Sequence, residues 1–146
     1  MSESRIPRPG TPGWQQEHVK VYQETGGEDG HIWNGVPTLL LTTKGRKSGK
    51  PFTTPLIYGR DGGHYLIIAS RGGADHHPQW YLNLVADSEI EVQVQADKFP
   101  ARARAAAGEE KARLWKTMTA VWPSYDNYQA QTKREIPLVV IEPLKG

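Results

Sequence analysis

The chain has 146 residues, a composition that is 37% hydrophobic and 23% charged, and a formal net charge of +2. That is one domain's length, with apolar content enough for a packed core and too little net charge to imply nucleic acid on its own. Cysteine is absent, which excludes disulfides, thiolate metal sites and a thiol nucleophile, and the 15 glycines and 11 prolines favour turns and strands over a helical bundle.

In chain order, residues 1–13 are rich in Pro and Gly and lack the apolar run of a secretory signal, so they read as a disordered or surface-draped segment. No apolar run later in the chain approaches the length of roughly 18 residues that spanning a membrane requires. Cytoplasmic residence is the expectation. Trp14, His18, Val21 and Tyr22 recur at helical spacing, and Gly26-Gly27 should end that helix. Residues 39–43 and 52–58 read as paired strands, with Pro55 marking an edge or a bulge. "RDGG" at 60–63 is a hairpin signal, and "HYLIIAS" behind it reads as a largely buried strand. Pro78 suits a helix start, and Trp80, Tyr81, Leu84 and Val85 share one face of the helix that follows.

"EIEVQVQ" then alternates, with Ile90, Val92 and Val94 inward, and "KFPARARA" sets Phe99, Ala101 and Ala103 against Arg102 and Arg104. Leu114, Trp115, Met118, Val121 and Trp122 mark another helix, stopped by Pro123. "SYDNYQAQ" reads as a short helix and "IPLVVIE" as the closing strand. The expected fold is mainly β within the α+β class: a barrel of about six mostly antiparallel strands with flanking helices. A tail and amphipathic helix over residues 1–30 would precede a barrel domain over 31–146.

Three stretches hold more chemistry than folding needs. The turn at 44–50 carries Lys44, Arg46, Lys47 and Lys50 with no acid. It is not a Walker A loop, because Gly45 and Gly49 are too close and Pro51 and a strand follow. A Gly/Ser turn can nevertheless present backbone N–H groups and cations to an anion; the alternative is a solvated hairpin tip. "ASRGGADHHPQW" places Gly72-Gly73 before a helix start, where close backbone approach is possible. Its adjacent His76 and His77 point in different directions and have no further ligand cluster, so no metal is expected. In "VWPSYDNYQ", Trp122, Tyr125 and Tyr128 stand three apart among polar residues. Partial exposure is expected there, either to hold a planar ligand or as packing at a barrel mouth.

Taken in order, "TTKGRKSGKPFTTPL", "ASRGGADHHPQWYLNL" and "WPSYDNYQAQTKREIPLVVIEP" resemble the deazaflavin-dependent nitroreductase family, which includes F420H2-dependent quinone reductases. The likeness covers about residues 38–143. It implies a split β-barrel like that of flavin reductases, and the anionic coenzyme F420 as cofactor. By that resemblance Arg46, Lys47 and Ser48 would hold the coenzyme's phosphate and tail. Thr53, Thr54, Pro55, Leu56 and Ile57 would run beside its ribityl chain and ring. Ile68, Ala69, Ser70 and Arg71 would line the ring, and Gln79, Trp80, Tyr81 and Asn83 would complete the pocket. Tyr125 and Tyr128 would face the substrate, with Tyr125 as the main hydrogen-bond donor and Ser70 beside it. By the same resemblance, Trp122 and Ile57 stand where a tyrosine can stand in the family, which would remove hydroxyls next to the substrate and bear on substrate range, nitroimidazole reduction especially.

The implied activity is hydride transfer to a quinone, enone or nitro acceptor. An FMN-dependent reductase on the same fold and a non-enzymatic F420 carrier are the alternatives. The basic residues lack the interleaved aromatics of a nucleic-acid platform. The N-terminal helix is expected either to cover the pocket or, with Arg5, Arg8 and Lys20, to touch the inner face of the membrane peripherally.

Overall fold

The structure is a computed structural model. It describes residues 13–33 and 35–144. The elements, in chain order, are α1 (Trp14–Thr25), β1 (Ile32–Trp33), β2 (Val36–Lys44), β3 (Pro51–Ile57), β4 (Gly59–Asp61), β5 (His64–Ile68), a 3₁₀ turn (Arg71–Gly73), α2 (Gln79–Ala86), β6 (Glu89–Val94), β7 (Asp97–Ala105), α3 (Gly108–Val121), α4 (Ser124–Gln131) and β8 (Leu138–Pro143). The six longer strands are those read from the sequence. β1 and β4 are short additions, and β4 belongs to the hairpin that "RDGG" announces.

The strands form one curled antiparallel sheet in the order β1-β2-β6-β7-β8-β5-β4, with β3 branching from β2. This is the split-barrel architecture. Among the described residues β3 pairs only with β2, over seven residue pairs from Thr38↔Ile57 to Lys44↔Pro51. An edge strand tolerates Pro55, whose missing N–H would leave a gap in a central ladder. The free edge of β3 becomes a wall of the cavity described below.

Period-two alternation divides the core. Ile67, Val139 and Ile141 join Leu39, Leu41, Val92, Ala101, Trp80 and Leu84 on one face. Leu66, Ile68, Leu138 and Val140 point the other way and pack under α3 and α4, against Leu114, Met118, Tyr125 and Ile136. β5 and β8 are therefore covered on both faces, which is why they read as unbroken apolar runs.

α1 is built into the sheet by Tyr22, which is fully buried. Its hydroxyl donates to the Thr38 carbonyl at 3.0 Å and accepts from the Gln95 N–H at 2.7 Å. Burial pushes this phenol up to about 12. Gly27 is required beside it. Its φ is +82°, and a Cβ there would stand 2.5 Å from the Gln95 Cα. The buried stripe His18, Val21 and Tyr22 thus faces protein. The tail at residues 1–12 lies outside the described residues.

Candidate active site

One cavity of about 370 Å³ opens where the β3 edge, the end of β5, the start of α2, α1 and the α3–α4 junction converge. Thr54, Pro55, Leu56 and Ile57 of β3 line one side, and Ile68, Ser70 and Arg71 line another. Gln79 and Trp80 of α2 and Tyr125 and Tyr128 of α4 complete it. A largely apolar slot with a few convergent polar groups is the usual form of a small-molecule site.

The remaining residues implied by the resemblance do not line the cavity, and their roles differ. Arg46, Lys47 and Ser48 form the exposed basic turn. This turn is not a free solvated tip. The Arg46 guanidinium donates to Gln79 Oε1 at 2.9 Å and to Asn83 Oδ1 at 2.9 Å, and the Arg46 backbone N–H also donates to Asn83 Oδ1, at 3.3 Å. Asn83 is buried and anchors to β2 by donating from Nδ2 to Thr43 Oγ1 at 3.1 Å. Asn83 therefore pins the turn to α2, and Gln79 joins the turn to the cavity wall. The turn itself closes through Gly49 N–H to the Gly45 carbonyl at 2.8 Å and Lys50 N–H to Ser48 Oγ at 3.2 Å. Among the described residues, the backbone N–H groups of Lys47 and Ser48 have no partner and remain available to an anion. Thr53 shares a hydrogen bond with Thr42 at 2.8 Å on β3. Ala69 is buried behind Ser70. Tyr81 packs on His77, with ring centroids 4.8 Å apart.

Tyr125 departs from the sequence expectation. Its polar neighbours suggested partial exposure, yet it is 4% exposed. α4 is amphipathic at this point: Asp126 and Asn127 turn to solvent while Tyr125 turns inward. Burial raises its pKa well above the ordinary tyrosine value of 10.0, so the hydroxyl stays protonated and can donate. Among the described residues neither the Tyr125 hydroxyl nor the Ser70 hydroxyl has a hydrogen-bond partner. Tyr128 accepts from Trp122 Nε1 at 3.3 Å and keeps its own proton for donation. Three uncommitted O–H donors from two distant segments thus meet at one cavity.

Backbone geometry holds this side together. Arg71 sits at φ +46°, a left-handed conformation that non-glycine residues seldom adopt and that clusters at functional sites. Gly73, at φ +86°, lets the loop touch α4: a Cβ there would lie 3.0 Å from the Tyr128 carbonyl oxygen and 2.8 Å from Gln131 Oε1.

Sequence reasoning missed four contributors. Arg134 clamps the loop before α2, donating to the carbonyls of Ala74 (2.7 Å), Ser70 (2.8 Å) and Ala69 (3.2 Å). It also donates to His77 Nδ1 at 3.1 Å, which makes His77 a neutral acceptor. His18 and Thr38 line the cavity from α1 and β2. Trp33 lies with its ring centroid 6.2 Å from that of Trp122, closing an aromatic wall. A lone Arg, Thr or Trp carries no motif signal of its own, and the helical spacing of His18 marks it for burial without marking it as a site residue. Among the described residues, no group of three His, Cys, Asp or Glu side chains is placed to hold a metal.

Comparison with known proteins identifies the family. The model of the family described as F420H(2)-dependent quinone reductase matches residues 14–143. The F420H(2)-dependent quinone reductase Rv1261c of Mycobacterium tuberculosis (strain H37Rv) is 41% identical over 128 residues, covering 85% of this chain and 86% of the relative. A solved F420-H2 dependent reductase, FDR-A, is 39% identical with a TM-score of 0.68, covering 73% of this chain and 94% of that one. A FAD-binding protein from Mesorhizobium loti, 14% identical, shares the fold alone, with a TM-score of 0.54 and coverage of 74% of this chain and 79% of its own. The chain is an oxidoreductase of the F420H2-dependent quinone reductase family.

Proposed function

We propose that the cavity binds coenzyme F420 with its ring in the slot and its anionic tail on the basic turn, and that a quinone is reduced against α4. The observation that carries this reading is the hydrogen bond from Arg46 to Gln79. It makes the cation-rich turn and the apolar slot one continuous surface, as a ligand with a flat ring and a charged tail needs. The residues fit that coenzyme. Arg46, Lys47 and the N–H groups of Lys47 and Ser48 suit a phosphodiester and carboxylates. Thr54, Pro55, Leu56, Ile57, Ile68 and Trp80 suit a planar ring, with Thr53, Ala69, Tyr81 and Asn83 holding that wall from behind.

The bound coenzyme would supply a hydride; reducing a quinone to a hydroquinone takes that hydride plus a proton. The chain's part is to stabilise the negative charge developing on the acceptor oxygen. Tyr125, Tyr128 and Ser70 are the donors for this, and a preorganised donor of this kind is worth about 10²–10³ in rate. Tyr125 leads because burial keeps it neutral and a dry site strengthens its hydrogen bond. The wall of Trp33 and Trp122 would cover the acceptor's free face and exclude water. Enone and nitro acceptors can make the same oxygen contacts and belong to the same reading. Contact of Arg5, Arg8 and Lys20 with anionic lipid would bring the enzyme to lipid-soluble quinones, and sedimentation with anionic vesicles at low salt tests it.

The test of the main reading is parallel titration with oxidised F420 and FMN, followed by turnover of F420H2 with a water-soluble naphthoquinone. Tighter binding of F420 and one quinone consumed per F420H2 are expected. Preferential FMN binding would make this a flavin reductase, and F420 binding without turnover would make it a carrier.

A further inference from the structure

The α1 side of the cavity holds an arrangement that the hydride-transfer reading does not use. His18 lines the cavity and is 1% exposed. Its Nε2 lies 2.9 Å from the Gly30 carbonyl oxygen. A carbonyl can only accept, so Nε2 carries the proton and Nδ1 is a bare lone pair. Among the described residues, Nδ1 is the buried side-chain polar atom without a partner. Thr38, on the same wall, is committed in the same sense. Its hydroxyl donates to the Gly30 carbonyl at 2.5 Å, with the His31 carbonyl 3.1 Å away, so its remaining capacity is to accept. One carbonyl, Gly30, therefore takes the proton of both side chains and leaves each of them only acceptor capacity.

We infer that His18 Nδ1 is a recognition subsite for a hydrogen-bond donor, a hydroxyl or an N–H, carried by the coenzyme ring or by the acceptor. A buried acceptor left unsatisfied costs free energy that a donor-bearing ligand recovers and a ligand without a donor does not. The subsite thus selects for that group, and His18 is a specificity-determining residue. Burial lowers the His18 pKa, which keeps the lone pair available at neutral pH. The inference rests on the cavity being the coenzyme and acceptor site.

His18→Gln and His18→Phe test it. A glutamine amide can keep the donation to Gly30 but places no acceptor where Nδ1 stood, whereas phenylalanine removes both. Each variant is titrated with oxidised F420 and assayed with 1,4-naphthoquinone and its 2-hydroxymethyl derivative. In wild type labelled with ¹⁵N-histidine, the Nδ1 resonance of His18 is followed through the same additions. A loss of about 5- to 20-fold in F420 affinity in both variants, with an Nδ1 shift on F420 addition, assigns the donor to the coenzyme. Unchanged F420 affinity, with loss of a wild-type preference for the hydroxymethyl quinone and an Nδ1 shift on its addition, assigns it to the acceptor. Wild-type behaviour of His18→Gln in both assays, with a lowered melting temperature only in His18→Phe, makes His18 purely structural and overturns the inference while leaving the coenzyme site intact. Failure of the wild type itself to bind F420 overturns the coenzyme site and this inference with it.

Discussion

The indole Nε1–H of Trp122 donates to the hydroxyl oxygen of Tyr128 at 3.3 Å, which orients a phenol that would otherwise rotate freely. Accepting that bond leaves the Tyr128 proton to point into the cavity and makes it a slightly stronger donor, since chained hydrogen bonds polarise one another. Trp122→Phe keeps most of the ring and removes the N–H. A drop of about 3- to 10-fold in kcat with unchanged F420 affinity is expected, as for loss of one modest hydrogen bond. Steady-state kinetics alongside a binding titration measure both. An equal fall in affinity and kcat would mean that the indole acts only as a wall.

Tyr125→Phe removes a hydroxyl that has no protein partner among the described residues, so folding loses no hydrogen bond. The melting temperature and F420 affinity should hold while kcat with a quinone falls on the order of 10²-fold, as expected for a donor acting on developing charge. A mutant that turns over normally would hand the role to Ser70 or Tyr128.

Arg46→Ala with Lys47→Ala removes two exposed cations and the side-chain bonds from the turn to Gln79 and Asn83, leaving the Arg46 backbone bond to Asn83. F420 affinity should fall about tenfold or more at low ionic strength, with little change in affinity for quinone. The gap between mutant and wild type should narrow as salt screens the wild-type attraction. Titration at two salt concentrations decides it: equal affinities at low salt would place the coenzyme tail elsewhere.

Gly73→Ala puts a methyl group 2.8 Å from Gln131 Oε1 and 3.0 Å from the Tyr128 carbonyl oxygen, at φ +86°. The strained backbone and the clash together should cost about 1–3 kcal/mol. Because the displaced element is α4, kcat should fall along with the urea midpoint. Gly63→Ala is the control: a Cβ there meets nothing within 4 Å, so both measures should stay near wild type.

The barrel was legible because its signals are local and repeated. Alternation in β6 and β7, the unbroken apolar runs of β5 and β8, and the prolines flanking α2 and α4 each point to one element without help from the rest. The basic turn was legible as a site because turning a chain does not require four cations. Tyr125 was misjudged because its burial depends on which face of a two-turn helix meets the sheet, and polar neighbours in sequence do not report that. Arg134 and His18 were invisible for a related reason. Each acts on backbone carbonyls, and carbonyls carry no sequence identity. Arg134 reaches more than 60 residues back to Ala69 and Ser70, whereas His18 waits on a Gly30 carbonyl that only the fold brings to it.

The same histidines predict the acid limb of stability. His18, His31 and His77 all have pKa values lowered from 6.5, in each case chiefly by burial. His77 is held down further by Arg134, whose guanidinium also requires the neutral ring as acceptor. A depressed pKa means that the unfolded chain binds more protons than the folded one below pH 6.5. The stability these neutral rings contribute is therefore fully present above that value and is lost as pH falls through their folded pKa values. Asp61, Glu110 and Glu135 are held below ordinary carboxylate values by Arg113, Arg104 and Lys111, so their contribution is lost only further into acid. Urea midpoints should accordingly be flat from pH 8 to 7 and begin to fall near pH 6.5, before any carboxylate titrates. His77→Gln, which keeps an uncharged acceptor for Arg134, should flatten part of that first decline and leave the lower one in place. A midpoint that holds steady down to about pH 5 would show that the folded barrel accommodates all three charged rings, contrary to their burial.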